Sequence, residues 1–480
     1  MTTKDVTRAH ATRDVLVQLG GRAANLALGV VATVLIVRTL GVEGNGQWAT
    51  LLAVTAIFST IGELGLEPTA VRRAAAAPGE EAGWLGALLG LRLLTAVPAA
   101  VLAGVVCVLL TDTREVHVAG ALMAGTIVAA APQSLRAAFQ LRVRNDRSIA
   151  VITVGSLLWT AGVIVVASRD GSIAAFAAVL LAATALTTLV QAALVRRSTP
   201  VALAGLRRHG SALLRAGLPL GIASGLALAY GRIDQLLVLH YDGARGAGLY
   251  GSAYLLLERL QVLPAAVMTT ALPLLAAAWP ADLARTRRLV TQALEVMALI
   301  ALPIVAFAAV AARPAVVALF GEDFAPAAGV LPVLMLAFAC VCVGHVLGYL
   351  SIVVERQRAF VWIALGALAL NVGANAVLLP RYGYRAAAWT TLATELLVIV
   401  WAGRVTLTGL GGPVRPARLA RVVTAAALMA AVVLALRGAG LGAVGLAAAA
   451  GVTYPLALLA CGALRAEDRA RLLRLRPGGA

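Results

Sequence analysis

The stretch HYDGARGAGLYGSAYL (240–255) repeats TLGVEGNGQWATLLAV (39–54). At an offset of 202 residues, Gly41, Gly44, Gly46 and Trp48 fall on Gly243, Gly246, Gly248 and Tyr250. The competing reading is that loops are simply glycine-rich in a chain with 47 glycines. Both stretches follow a long apolar run. Glycine at such corners supplies the positive φ of a tight turn, and an aromatic residue there suits a membrane–water interface.

The flanking runs set the class. Of 480 residues, 61% are hydrophobic and only 13% are charged, with a mean hydropathy of +0.91. A soluble chain carries about 25% charged residues, so this one cannot cover a water-facing surface. Apolar stretches long enough to span a bilayer lie near 15–37, 48–66, 84–110, 117–139, 149–167, 172–195, 216–240, 248–278, 289–312, 328–354, 359–380, 384–403, 419–436 and 440–464. The second copy of the repeat begins six spans after the first and so returns to the same membrane side. That is a parallel repeat about an axis along the membrane normal.

The expected fold is therefore an all-α polytopic membrane protein of about 14 transmembrane helices. Two parallel six-helix lobes surround a central cavity, and two C-terminal helices are added. The expected parts are an N-terminal tail (1–14), an N-lobe (15–195), an inter-lobe linker (196–215), a C-lobe (216–403), a linker with the extra helix pair (404–464) and a basic tail (465–480). No cleaved signal peptide is expected, because no short apolar core with a cleavage site follows the polar first residues.

The net charge of +18 would suggest nucleic acid in a soluble protein. Here the basic residues read as loop anchors. Of 40 basic residues, 28 fall in loops on one side, 8 on the other, and four inside spans. The positive-inside rule then places both termini in the cytoplasm of a multi-pass plasma-membrane protein, with no nucleic acid as partner. Cys107, Cys340, Cys342 and Cys461 lie in apolar stretches without zinc or disulfide spacing, so neither a metal nor a cofactor is expected.

Charges inside spans cost at least ~2.5–3.5 kcal/mol at a helix centre and normally face a cavity or a partner. They are Arg22, Arg92, Arg232 and Arg259, with Glu63, Asp234, Glu258 and Glu395 as the acids. Arg232 and Asp234 are two residues apart, so they point about 200° from each other on a helix. Glu63, Arg92, Asp234 and Glu258 are candidates for structural ion pairs or ion coupling. Asn25, Gln18, Asn371 and Asn375 either bind sugar hydroxyls or make interhelical hydrogen bonds; the second reading is favoured for Asn371 and Asn375. His345 is either a coupling group or a helix-packing residue, with packing favoured.

Four stretches in order resemble one family: LGVEGNGQWATLLAV with GLEPTAVRRAA (65–75), YGRIDQLLVLHYDGARGAGLYGSAYLLLERLQVLPAAVMTTALPLLA (230–276), LFGEDFAPAAGVLPVLMLA (319–337) and NVGANAVLLPRYGYRAAAWTTLATE (371–395). They are similar to the polysaccharide-type flippases of the multidrug/oligosaccharidyl-lipid/polysaccharide exporter superfamily. The resemblance spans roughly residues 14–404. It implies a V-shaped, alternating-access transporter that moves a lipid-linked sugar from the inner to the outer leaflet, with membrane lipids around it and polymer-assembly proteins as candidate partners. Twelve spans are usual in the sugar-polymer branch. Fourteen occur in the branch that flips the peptidoglycan lipid precursor, where the extra pair helps form a lipid-tail groove. Arg22 resembles the cationic cavity residues of the family. On that basis Arg22, Arg232, Arg259 and Asn25 are the candidate substrate-binding residues, since arginine suits the oxygens of a pyrophosphate.

A multidrug or cation exporter on the same fold is the alternative. The spans hold no acidic surplus to attract cations, which counts against it. A membrane glycosyltransferase or polymerase would carry a sizeable extramembrane loop, and the loops here are short. Enzyme activity is therefore not expected.

Overall fold

The computed structural model describes residues 3–111, 113–141, 145–414 and 416–463, with side chains for these except 3–24, 26, 145–149, 198, 223 and 227. Among the described residues the secondary structure is all helical, with no strand. In chain order the α-helices are α1 (Thr3–Glu63), α2 (Leu66–Ala75), α3 (Glu81–Leu110), α4 (Arg114–Ala130), α5 (Ala137–Leu141), α6 (Asn145–Ala167), α7 (Ile173–Ser198) and α8 (Gly205–Leu260). There follow α9 (Val262–Ala278), α10 (Leu283–Phe320), α11 (Leu331–Val353), α12 (Gln357–Tyr382), α13 (Tyr384–Leu407), α14 (Leu419–Gly438) and α15 (Ala443–Ala460).

Twelve helical stretches among the described residues are long and apolar enough to cross a membrane. Two are too long for one crossing, at 49 residues (Ala27–Ala75) and 74 residues (Gly205–Ala278), because a bilayer core takes about 20 residues. The expected corners at 41 and 243 are each reduced to one non-helical residue that joins two helices: Gly41 has φ 67° and ψ −172°, and Gly243 has φ 69° and ψ −175°. Only glycine readily occupies that region. The offset of 202 is thus reproduced in backbone angles to within a few degrees.

The chain clusters into two compact units, Met1–Gly248 and Leu249–Ala480. Helix packing repeats within the units. In the first, α4 packs on α3 and α7, and α6 packs on α7; in the second, α11 packs on α10 and α13, and α12 packs on α13. The extra pair α14 and α15 packs on α10 and on each other.

The core of the first unit centres on Trp48. Its ring stacks on Trp159 at 6.4 Å and meets Phe176 edge-on at 6.2 Å, with Leu51, Met123 and Ile127 buried around it. Trp48 is 5% exposed and Tyr250 is 0% exposed, so neither joins an interfacial belt. Tight helix contact at the adjacent glycines draws both rings into the interior. Large apolar side chains on the outer faces stay exposed instead, among them Leu94, Leu109, Leu189, Trp362 and Trp389. Water would not tolerate so much bare apolar surface, whereas lipid requires it. This is a multi-pass membrane protein.

Candidate functional site

The stretch around Arg232 shows how the sequence separates two nearby charges. Asp234 and Gln235 are buried while Arg232 is half-buried, consistent with their different directions on α8. The Asp234 Oδ1 accepts the backbone N–H of Gln235 at 2.9 Å. Gln235 Nε2 donates to the Ala247 carbonyl at 3.0 Å, so it ties the two halves of α8 together across the Gly243 break. In the second unit Glu258 is half-buried and Arg259 is exposed at the end of α8. Asn25 Nδ2 donates to Thr153 Oγ1 at 3.2 Å, an α1–α6 bond of the interhelical kind. Arg22 lies outside the residues whose side chains are described.

Arg92 and Glu63 do come together. Arg92 is one turn before Thr95 on the same face of α3. Thr95 Oγ1 donates to the Gly62 carbonyl at 2.6 Å, which pins the end of α1 against that face. Glu63 Oε1 then lies 3.6 Å from Arg92 Nη2. The pair is unequal, with the Arg92 side chain 4% exposed and that of Glu63 50% exposed.

Past Glu63 the chain turns at Leu64 (φ 47°) and Gly65 (φ 61°), and α2 begins. Glu67 sits in its first turn, where a negative charge is favoured by the helix dipole. Glu67 Oε1 accepts from Arg136 Nε at 2.7 Å and from Gln140 Nε2 at 3.1 Å. Arg136 ends the 3-10 turn Ala131–Arg136 that follows α4, and Gln140 lies one turn on, in α5. Glu63, Glu67, Arg92, Arg136 and Gln140 line one cavity of about 180 Å³. Arg92 Nη1 is buried with no hydrogen-bond partner among the described residues.

Glu63 and Arg92 stand out in the sequence, whereas Glu67, Arg136 and Gln140 do not. Arg136 reads there as a loop anchor, and Glu67 and Gln140 carry no signal of their own. The available signal was the Arg136/Gln140 spacing of four, which puts both on one helix face. The corner also touches the start of α8: a side chain on Gly65 would meet the Gly217 carbonyl at 2.8 Å.

The second unit holds further polar contacts. Asn371 and Asn375 are buried in α12, and Asn375 Nδ2 donates to Asn371 Oδ1 at 3.0 Å. The bond runs along one helix rather than between two. Tyr250 Oη and Thr391 Oγ1 are 3.0 Å apart. His345 Nδ1 lies 3.0 Å from the Val341 carbonyl one turn earlier, a local contact. Among the described residues no group of three or more His, Cys, Asp or Glu side chains is placed to hold a metal ion.

The family model described as polysaccharide biosynthesis protein matches residues 11–279. Among solved structures, lipid II flippase MurJ in an inward closed conformation aligns with a TM-score of 0.69 at 11% identity, covering 92% of this chain and 98% of that one. An inward-facing multidrug resistance MATE family transporter of the MOP superfamily aligns at 0.63 with 16% identity, covering 80% and 95%. A MOP superfamily transporter from Pyrococcus furiosus, described as having a binding pocket of reverse polarity that suggests a different function, aligns at 0.55 with 16% identity, covering 82% and 94%. At these identities the likeness is one of fold. No curated protein matches in sequence.

Proposed function

The chain belongs to the polysaccharide biosynthesis protein family, and on that premise we propose that it is a lipid-linked oligosaccharide flippase. It carries a polyprenyl-pyrophosphate sugar from the inner to the outer leaflet by alternating access, for polysaccharide or cell-envelope synthesis. The observation that carries this reading is the duplicated corner. Gly41 and Gly243 break their helices at the same angles, and repeat-related halves are the architecture of rocking transporters. If each long helical stretch crosses twice, the twelve stretches make fourteen crossings, and the loop charges place both termini in the cytoplasm.

The head group carries at least two negative charges, and the intramembrane arginines supply the counter-charge. Arg22, Arg232 and Arg259, with Asn25, are the proposed substrate contacts. Asp234, Glu258, Glu63 and Arg92 are assigned to ion pairs or coupling. Membrane lipids surround the tail, and polymer-assembly proteins receive the product. The second reading is a multidrug exporter, favoured by the MATE-like fold; a lipid II-type flippase is the third, favoured by the MurJ-like fold and the α14–α15 pair.

The test is a strain depleted of the protein, with polyprenyl-linked sugars labelled and their leaflet read by a membrane-impermeant hydrolase. The expected result is a protected inner-leaflet intermediate, cleared by wild type and not by Arg22→Ala or Arg232→Ala. An unchanged lipid pool with new sensitivity to cationic dyes would replace this reading with drug export.

A further inference from the structure

The cavity of about 180 Å³ lined by Glu63, Glu67, Arg92, Arg136 and Gln140 holds two unlike ion pairs. Glu67 is closely held: its Oε1 accepts from both Arg136 and Gln140. Glu63 is not. It stands 3.6 Å from Arg92 Nη2, beyond hydrogen-bond range, and half of its side chain is exposed. Arg92 is the reverse, a guanidinium 4% exposed with Nη1 buried and unpartnered among the described residues. Burying a guanidinium is costly unless its N–H groups are hydrogen-bonded. The loosely held carboxylate is therefore a poor permanent partner for Arg92.

We propose that this cavity is a binding site for a phosphate oxyanion, which displaces Glu63 and pairs with Arg92. The space is about six times the share of liquid volume of one water, room for a phosphoryl group. With Glu63 turned out to solvent, the local balance is two guanidiniums against Glu67, an excess of one positive charge. Arginine and phosphate oxygens form charge-assisted hydrogen bonds, which would give the Arg92 guanidinium a closer partner than Glu63 at 3.6 Å. Arg136 lies on the same wall and carries N–H groups beyond Nε, and Glu67 holds it by that Nε. Glu63 acts as a placeholder that holds the charge while no anion is bound.

The phosphate source is either a bilayer phospholipid head group or the diphosphate of a lipid-linked sugar. Only the second source rests on the flippase reading; the site does not.

The test uses the full-length protein in nanodiscs, with thermal unfolding followed against inorganic pyrophosphate, a polyprenyl diphosphate and added phosphatidylglycerol, each at constant ionic strength. A saturable rise in Tm is expected for wild type with at least one probe. Glu63→Gln removes the competing carboxylate, so half-saturation falls by roughly two- to fivefold, the range set by a half-exposed ion pair. Arg92→Gln abolishes the response. A merely structural pair predicts the opposite for Glu63→Gln: a less stable protein with no gain in anion response. No saturable response in wild type or Glu63→Gln overturns the proposal, as does an unchanged response in Arg92→Gln. If Arg92→Gln fails to fold, the sign of the Glu63→Gln effect decides. A response to the polyprenyl diphosphate above that to phosphatidylglycerol assigns the site to the transported lipid, and equal responses assign it to a bilayer phospholipid. Binding without flipping in the leaflet assay would keep this site and sink the flippase reading.

Discussion

Gly46 and Gly248 meet by the same contact seen from both sides. A side chain on Gly46 would strike the Ala244 carbonyl, and one on Gly248 would strike the Val42 carbonyl. The pairs 42/244 and 46/248 are both related by the offset of 202, so the contact is locally symmetric. Asn45 Nδ2 adds a buried bond to the Gly248 carbonyl at 3.0 Å. Each repeat reads the other's backbone, and only a residue without Cβ allows it.

Gly46→Ala and Gly248→Ala should therefore each lower stability by about 1–3 kcal/mol through overpacking against backbone. Thermal unfolding of the purified protein measures it. The double variant should cost less than the sum, because either methyl already parts the two chains. Gly44→Ala is the control. Its Cβ would sit 3.0 Å from Leu40 Cβ, a tight side-chain contact in place of a backbone clash, so its Tm should fall less than that of either variant.

Gly41 and Gly243 test a different cost. Nothing lies within 4 Å of a Cβ built on either, so there is no clash to relieve. The backbone alone resists, at φ and ψ that only glycine readily adopts. Gly41→Ala and Gly243→Ala should each destabilise by about 1–3 kcal/mol, in the same Tm assay. An unchanged Tm would mean that the break is not needed for the fold.

These four glycines also show what the sequence disclosed. Membrane spans were legible because lipid demands long apolar runs, and the repeat was legible because close contact and positive φ both demand glycine. The local role was not. Gly41 looked like a loop residue because a single broken residue and a loop share one composition. Trp48 looked interfacial because its burial depends on Trp159 and Phe176, more than 100 residues away. Glu67, Arg136 and Gln140 were hidden for the same reason: their meeting is fixed by how α2 packs on α5, which no local pattern records. Glu63 and Arg92 stood out only because a charge inside an apolar run is conspicuous on its own.

Glu67 should matter more than its position at a helix start suggests. Glu67→Gln removes the charge that Arg136 pairs with. Arg136 is 43% exposed, so solvent screens much of the loss, and about 1 kcal/mol of destabilisation is expected. Gln140→Ala leaves the charge pair intact and should cost about half of that or less. Thermal unfolding of the two variants gives the order; a larger loss for Gln140→Ala would contradict the assignment of Glu67 as the hub.

Orientation is checked by labelling. Arg207 and Arg245 are both exposed and lie on opposite sides in the charge-based topology. With the native cysteines replaced, a membrane-impermeant maleimide should label Arg245→Cys in intact cells and Arg207→Cys only after the membrane is opened. The reverse pattern would invert the protein and with it the direction of proposed transport.

The proposed alternating access makes a further demand on the contact between α1 and α8. Near Glu63, a Cβ on Gly225 would lie 3.8 Å from the Ile61 side chain, and a Cβ on Gly65 would crowd Gly217. If the substrate enters from the cytoplasmic side, this contact has to part once per cycle. Ile61→Cys with Gly225→Cys places two thiols within bridging range. Oxidation should stop flipping in the leaflet assay, reduction should restore it, and neither single cysteine should respond. Continued flipping with the bridge intact, verified by the loss of free thiols, would show that α1 and α8 stay together here and that the cytoplasmic entrance lies elsewhere.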